Sequence, residues 1–353
     1  MRRFPYRVRA PSQPYFPYSI EPFPRWSMGT TLLLTVLMAL IASCSPSPPR
    51  QIEKIVLGAV TVVHSSPVWI AESRDYFEKE GLKVEIKGFD SGRNALWTML
   101  NAEGIDIVTV AQMPIVFNSF DRSDFAIIGT MVHSDKDNKL LVRQDRVKIP
   151  RDLKGKSVGV TANTSGHYFL GRFLSYHRLN LSDIKTVDMD AERLSQALIE
   201  GQVDAIATWD PHIYNAQKAL GNHALLLPGE GVFRMNYYFV ARKDFITNRP
   251  DALTRFLRAI QRSNEFIEQN KKEAMDIVEK RLNMERNLIN STWDDFRFSL
   301  SLDQPILESL EDLARWARRN RLKDSSKTPN YLDYLYTDAL KAVSPAAVAI
   351  AGK

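Results

Sequence analysis

A chain of 353 residues, 44% hydrophobic and 25% charged, is long enough for two lobes with separate cores. Its net charge of +6 is concentrated at the front: the first 43 residues hold five arginines (Arg2, Arg3, Arg7, Arg9, Arg25) and one acid (Glu21), which leaves +2 for the rest and no dense basic stripe for nucleic acid. The single cysteine, Cys44, excludes an intramolecular disulfide and a cysteine-based metal cluster.

Residues 30–42 form an apolar run (Leu32, Leu33, Leu34, Val36, Leu37, Met38, Ala39, Leu40, Ile41) behind Arg25. The run is shorter than the roughly 20 residues of a spanning helix and suits a signal h-region. It ends in Leu40-Ile41-Ala42-Ser43-Cys44, which resembles the lipobox of bacterial lipoproteins, where cleavage precedes the cysteine and the thiol is lipidated. The other reading is an ordinary N-terminal anchor with an incidental cysteine. Residues 1–43 are read as a signal peptide, starting at Met1 or Met28, and residues 44–51 as an extended tether. The body is expected outside the cytoplasm, held to a bacterial membrane by the lipid on Cys44.

In the body, residues 52–60 read as a strand and 61–66 as a polar turn. Pro67 starts a helix through Trp69, Ile70, Tyr76 and Phe77, which Gly81 stops. Strands at 83–88, 105–110 and 125–132 alternate with helices opened by Asp90-Ser91-Gly92 and by Gln112-Met113-Pro114. This β-α-β-α-β-α-β order predicts a parallel sheet. A second series follows: Ser157 to Val160 as a strand, the turn Asn163-Thr164-Ser165-Gly166, and a helix carrying Tyr168, Phe169, Phe173 and Leu174. Strands at 184–187 and 203–207 flank a helix at 192–199, and Asp210-Pro211 opens another. Residues 236–241 read as a strand returning to the first lobe. Helical periodicity covers 250–269, 271–281, 287–298 and 304–317. Residues 331–340 suggest a last short helix and 343–353 a loose tail.

Four polar turns follow four strands: Val63-His64-Ser65-Ser66, Ala111-Gln112-Met113, Asn163-Thr164-Ser165-Gly166-His167 and Thr208-Trp209-Asp210-Pro211. Ligands of open α/β sheets bind at the carboxyl ends of strands, where helix N-termini present unpaired N–H groups to anions. Trp209 and Tyr237 could wall an organic body. Each turn also has a plain structural use: Ser65, Ser66, Thr164 and Ser165 as caps, Asp210 as an N-cap before Pro211, Trp209 as core, and His167 as an exposed first-turn residue. If Asp210 faces the ligand, an amine or another donor belongs there. His64, His133 and His167 are not at metal-site spacings, and no nucleophile elbow, phosphate loop or zinc-protease signature is present. Neither a catalytic residue, a metal nor a cofactor is expected.

The segments Asp152-Leu-Lys-Gly-Lys-Ser-Val-Gly-Val160, Thr164-Ser-Gly-His167 and Leu198-Ile-Glu-Gly-Gln-Val-Asp-Ala-Ile-Ala-Thr-Trp-Asp-Pro211 resemble the substrate-binding proteins of nitrate/sulfonate/taurine-type ABC importers. So do Ser66-Pro-Val-Trp-Ile-Ala71, Tyr76-Phe-Glu-Lys-Glu-Gly-Leu82 and Gly104-Ile-Asp-Ile-Val108. The resemblance spans about residues 52–300. It implies a type II periplasmic-binding fold: two α/β lobes joined by a hinge, with a helical C-terminal segment. Lobe 1 would comprise 52–132 and 238–342, lobe 2 would comprise 133–237, and the crossings would fall near 131–135 and 234–238. The residues facing the ligand would be Ser65, Ser66, Gln112, Thr164, Ser165, Gly166 and Trp209, with His167, Asp210 and Tyr237 added from the turns. The implied partners are a small ligand, ABC permease and ATPase subunits and the membrane through the anchor, with the receptor itself a monomer. Alternatives with the same pocket are a sensor for a signalling partner, or an enzyme of the thiamine-pyrimidine or menaquinone-precursor type.

Overall fold

The computed structural model describes residues 52–323 and 327–351 except 103, together with 14, 15 and 17–19. The signal peptide, the tether and Cys44 lie essentially outside the described residues. No helix among the described residues is long and apolar enough to cross a membrane.

The larger sheet grows from three parallel strands: β1 (Glu53–Val60) lies between β2 (Leu82–Phe89) and β3 (Ile107–Ala111). Every residue of β3, Ile-Val-Thr-Val-Ala, is buried, as suits a parallel strand covered on both faces. β4 (Phe125–Ser134) does not join β3 directly. A late strand, β10 (Met235–Arg242), enters between them, antiparallel to both. β11 (Arg297–Asp303) and β12 (Val348–Ala349) complete the order β12-β11-β4-β10-β3-β1-β2.

The smaller sheet has the order β7-β6-β8-β5-β9, from β5 (Lys139–Arg143), β6 (Ser157–Val160), β7 (Lys185–Asp188), β8 (Ala205–Thr208) and β9 (Ala224–Leu227). Alternation gives it two separate cores. Leu140, Val142, Ala205 and Ala207 pack on one face with Phe169 and Phe173, while Leu141 and Ile206 pack on the other with Leu194 and Ile213.

Three stretches depart from the sequence reading. Residues 287–298 are not one helix: a helix at Arg286–Thr292 gives way to β11, in which Leu300 and Leu302 are buried between less buried Ser301 and Asp303. That period of two is short and its partner, β4, lies far away in sequence, so helical periodicity upstream masked it. The tail is not loose throughout, since β12 pairs in parallel with β11 and Ile350 is buried. The helix opened at Pro67 is broken: it runs Ser66–Ser73, and a new turn, Tyr76–Lys79, starts after Asp75, which has a left-handed backbone (φ 55°).

The chain passes between the sheets twice, after β4 and before β10, and those strands are paired neighbours. The two crossings are fastened together. Arg234 donates to both carboxylate oxygens of Asp135, at 2.9 and 3.1 Å. Buried Gln112 donates through Nε2 to the Arg234 carbonyl at 3.0 Å and accepts the Asn236 N–H at 3.0 Å. Paired crossings of this kind make a hinge.

Candidate functional site

β1 ends at Val60, and the chain turns through Val62 into a 3-10 turn, Val63–Ser65, followed by the helix Ser66–Ser73. Trp69 Nε1 donates back to the Val62 carbonyl at 3.1 Å and fixes this turn. In the smaller sheet, β6 ends at Val160 and Thr164 precedes the helix Ser165–Tyr176, whose first N–H groups have no helical partner. Gly166 lets that helix lie against β8, because a Cβ there would stand 2.8 Å from the Ala207 carbonyl oxygen.

Between these turns lies a narrow cavity of about 20 Å³, little more than one water requires. The larger lobe contributes His64, Gly92, Arg93, Ala111, Pro114 and Tyr237, the smaller lobe Thr164, Ser165 and Trp209, and the first crossing Asp137. A wider hollow of about 630 Å³ lies between the helix Pro250–Gln269 and β11. It is an open surface trough away from the strand ends, so the narrow cavity is the better candidate.

The lobes meet tightly around the cavity. Arg93, on the helix Gly92–Asn101, reaches across to the Ala162 carbonyl at 3.1 Å and to Asp190 Oδ1 at 3.2 Å. Trp316, on the helix Pro305–Arg319, stands edge-on to Tyr168 and His167 at 5.0 and 5.6 Å between centroids. It also fills the space over Gly171, where a Cβ would meet its ring at 2.5 Å.

The residues singled out in sequence separate into two groups. Thr164, Ser165, Trp209 and Tyr237 line the cavity together. Ser65, the residue after cavity-lining His64, is fully buried but does not itself line the cavity, and its hydroxyl has no protein partner. The others have structural employment. The Ser66 hydroxyl donates to the Val63 carbonyl, and Gln112 holds the hinge. Gly166 serves close packing. His167 is buried, not exposed, with Nδ1 accepting the Asn163 N–H at 3.3 Å. Burial, only partly opposed by Asp188, pushes its imidazole below the ordinary range, so it carries no ready charge for an anion. Asp210 pairs with Lys139 at 2.5 Å and accepts the Tyr214 N–H at 3.0 Å. Its helix starts only at His212, beyond a cis peptide to Pro211.

Sequence reasoning passed over Arg93, Asp137 and His64 as site residues. The only signal for His64 was its place in the turn after β1, and nothing local announced Asp137. The two meet through tertiary structure: His64 Nδ1 lies 3.3 Å from Asp137 Oδ1, with both side chains 4% exposed. Tyr237 packs on the imidazole at 4.4 Å. Burial, reinforced by Asp137 and Asp90, pushes the Tyr237 phenol well above its usual range and keeps it neutral.

Over residues 63–274, a stretch holding every cavity-lining residue, the sequence matches the family described as NMT1/THI5 like. The chain belongs to this family. Among its relatives, a putative aliphatic sulfonates-binding protein of Bacillus subtilis is 25% identical over 291 residues, covering 80% of this chain and 84% of that protein. The alkanesulfonate-binding protein SsuA from Xanthomonas axonopodis pv. citri, solved bound to MOPS, superposes with a TM-score of 0.72 at 20% identity, covering 81% of this chain and 99% of that one. The C27S mutant of DSZB, solved with biphenyl-2-sulfinic acid, shares the fold at a TM-score of 0.63 and 13% identity, covering 84% of this chain and 99% of that one. The NMT1/THI5-like chain thus has the two-lobed periplasmic-binding fold of SsuA.

Proposed function

We propose that this chain is the extracytoplasmic solute-binding component of an ABC importer, taking a small sulfonate, nitrate or taurine-like ligand between its lobes. The observation that carries this reading is the cavity itself: it lies where strand ends of both sheets converge, with the Thr164–Ser165 helix start on one side and Arg93 on the other. Helix N-termini and a guanidinium both suit an oxyanion. The sulfonate-binding relatives support the same ligand class. The paired crossings supply the hinge by which the lobes part and close. In this reading the protein works as a monomer with permease and ATPase subunits, without a cofactor, and is tethered through lipid on Cys44. The ligand-facing set is Ser65, Thr164, Ser165, Trp209 and Tyr237, joined by Arg93.

One observation favours an enzymatic reading on the same fold: a buried His–Asp pair borders the cavity, and a desulfurization enzyme shares the architecture. Conversion of a bound ligand by the purified chain would replace the transport reading with that one. A thermal-shift screen of the full chain against ethanesulfonate, nitrate, taurine and a pyrimidine precursor tests binding. A ligand at about 100 times its Kd should add about 2.7 kcal/mol of stability. If the double variant Thr164→Ala, Ser165→Ala keeps the affinity of a ligand so found, the site lies elsewhere.

A further inference from the structure

The first crossing and the turn after β8 form a wall with a hollow on each side. Asp137 and Trp209 line the narrow cavity, while the residues that follow them, Asn138, Lys139 and Asp210, line a second hollow of about 440 Å³. That volume is in the range of small-molecule pockets. Leu226, Leu227 and Pro228 give the hollow an apolar side, and Asp295, just before β11, faces it from the larger lobe.

The charges in this hollow do not pair off. Lys136 lies 3.5 Å from Glu230, and Lys139 lies 2.5 Å from Asp210. Asp295 is left over. Its nearest cation is the Lys139 ammonium at 4.0 Å, which is beyond hydrogen-bond reach and already donates to Asp210. No donor among the described residues bonds the Asp295 carboxylate. Burial pushes its carboxyl above the ordinary range, while Lys139 and Lys136 oppose that shift. A second acceptor is deeper in the wall. Asn138 is only 6% exposed, and its Nδ2 donates to Asp137 at 3.2 Å. The reverse orientation would set an amide oxygen against a carboxylate, so Oδ1 is fixed as the other end. It is buried and has no donor in the protein. An unbonded carboxylate and an unbonded amide oxygen both call for a donor.

The geometry points to this hollow as a second ligand site, for an organic molecule carrying a primary ammonium. The ammonium donates to Asp295 and, deeper, to Asn138 Oδ1, and the carbon body lies along Leu226 and Pro228. Asp210, Glu230 and Asp295 disfavour an anion there. A bare metal ion is the poorer occupant, because no three metal-ligating side chains converge among the described residues and one side of the hollow is apolar. An amine beside Asp210 thus has its place behind the wall and not in the narrow cavity.

The test is calorimetric titration of the full chain at neutral pH with the chlorides of methylammonium, phenethylammonium and potassium. The chains are wild type, Asp295→Asn, Leu226→Ala and the double variant Thr164→Ala, Ser165→Ala. Phenethylammonium should bind more tightly than methylammonium, and potassium should not bind measurably. Asp295→Asn should weaken phenethylammonium about 10-fold or more, the loss of a charge-assisted hydrogen bond. Leu226 is exposed, so Leu226→Ala should fold, cost phenethylammonium about threefold and leave methylammonium unchanged. The Thr164, Ser165 variant should bind phenethylammonium as wild type does, and a loss there places the ammonium in the narrow cavity and overturns the inference. It is overturned equally by wild type binding no ammonium, by Asp295→Asn staying within about twofold, or by potassium binding as tightly as phenethylammonium. If Asp295→Asn does not fold, Leu226→Ala decides: an undiminished preference for phenethylammonium over methylammonium overturns the site. No arm uses a sulfonate, so failure of the transport reading leaves this inference standing.

Discussion

The turn after β1 and the turn after β6 occupy equivalent places in the two lobes, and each combines hydroxyls with a histidine. Their histidines end differently. His64 meets a carboxylate from the crossing segment and keeps one nitrogen free at the cavity wall. His167 accepts a backbone N–H from its own turn and is pushed towards neutrality by burial. The hydroxyls divide as well: Ser165 lines the cavity, whereas Ser66 is tied to a carbonyl in its own turn. Similar turn chemistry thus yields a histidine set beside a carboxylate of the crossing segment in one lobe and a histidine packed against its own turn and Trp316 in the other. The deciding partners, Asp137 and Trp316, lie outside both turns.

The strongest way to break this pairing of turns is to keep the lobes apart. Gly171→Leu puts side-chain atoms where the Trp316 ring already lies, 2.5 Å from a Cβ, and overpacking typically costs about 1–3 kcal/mol. Because the clash exists only when the lobes meet, ligand affinity should fall about 10- to 100-fold by calorimetry while the unfolding midpoint moves little. Next comes the hinge. Gln112→Leu strands the Asn236 N–H and the Arg234 carbonyl, for a loss of about 2 kcal/mol in urea unfolding.

Acid sharpens the contrast between the histidines. Burial, opposed in part by Asp210 and Asp90, pushes His212 from 6.5 down to about 4. The unfolded chain therefore takes up a proton in a window where the folded chain does not. Stability is full above the unfolded value, falls as pH drops towards about 4, and levels off below it. His212 is not fully buried, so the expected loss is about 1–3 kcal/mol. His167 shifts in the same direction. Denaturant curves at several pH values should show this slope in wild type and a shallower one in His212→Gln. The smallest effect belongs to the first turn. Ser66→Ala removes one local hydrogen bond, costing about 1 kcal/mol, and should leave affinity unchanged, while Ser165→Ala should weaken binding more than it weakens the fold.

The α/β alternation was legible because buried strands such as β3 and β6 and their capped helices declare themselves within a few residues. β11 was not, because its Phe298, Leu300 and Leu302 alternate only briefly and pair with a strand far upstream. In the site, the Thr164–Ser165 turn, Trp209 and Tyr237 could be singled out as strand-end residues. The assignment of Gln112 and Asp210 was a different problem. A polar residue at a strand end looks the same whether it faces a ligand or a carbonyl, and only the folded neighbours, Arg234, Asn236 and Lys139, distinguish the two.

By itself the sequence determined local things: periodicity, turn chemistry, the resemblance to importer receptors and the placing of polar turns at strand ends. The tertiary structure decided which of those polar groups already had partners. Hydrogen bonding and burial are settled by groups brought together across the fold, and the spacing of Asp137 from His64, or of Trp316 from Gly171, carries no local mark.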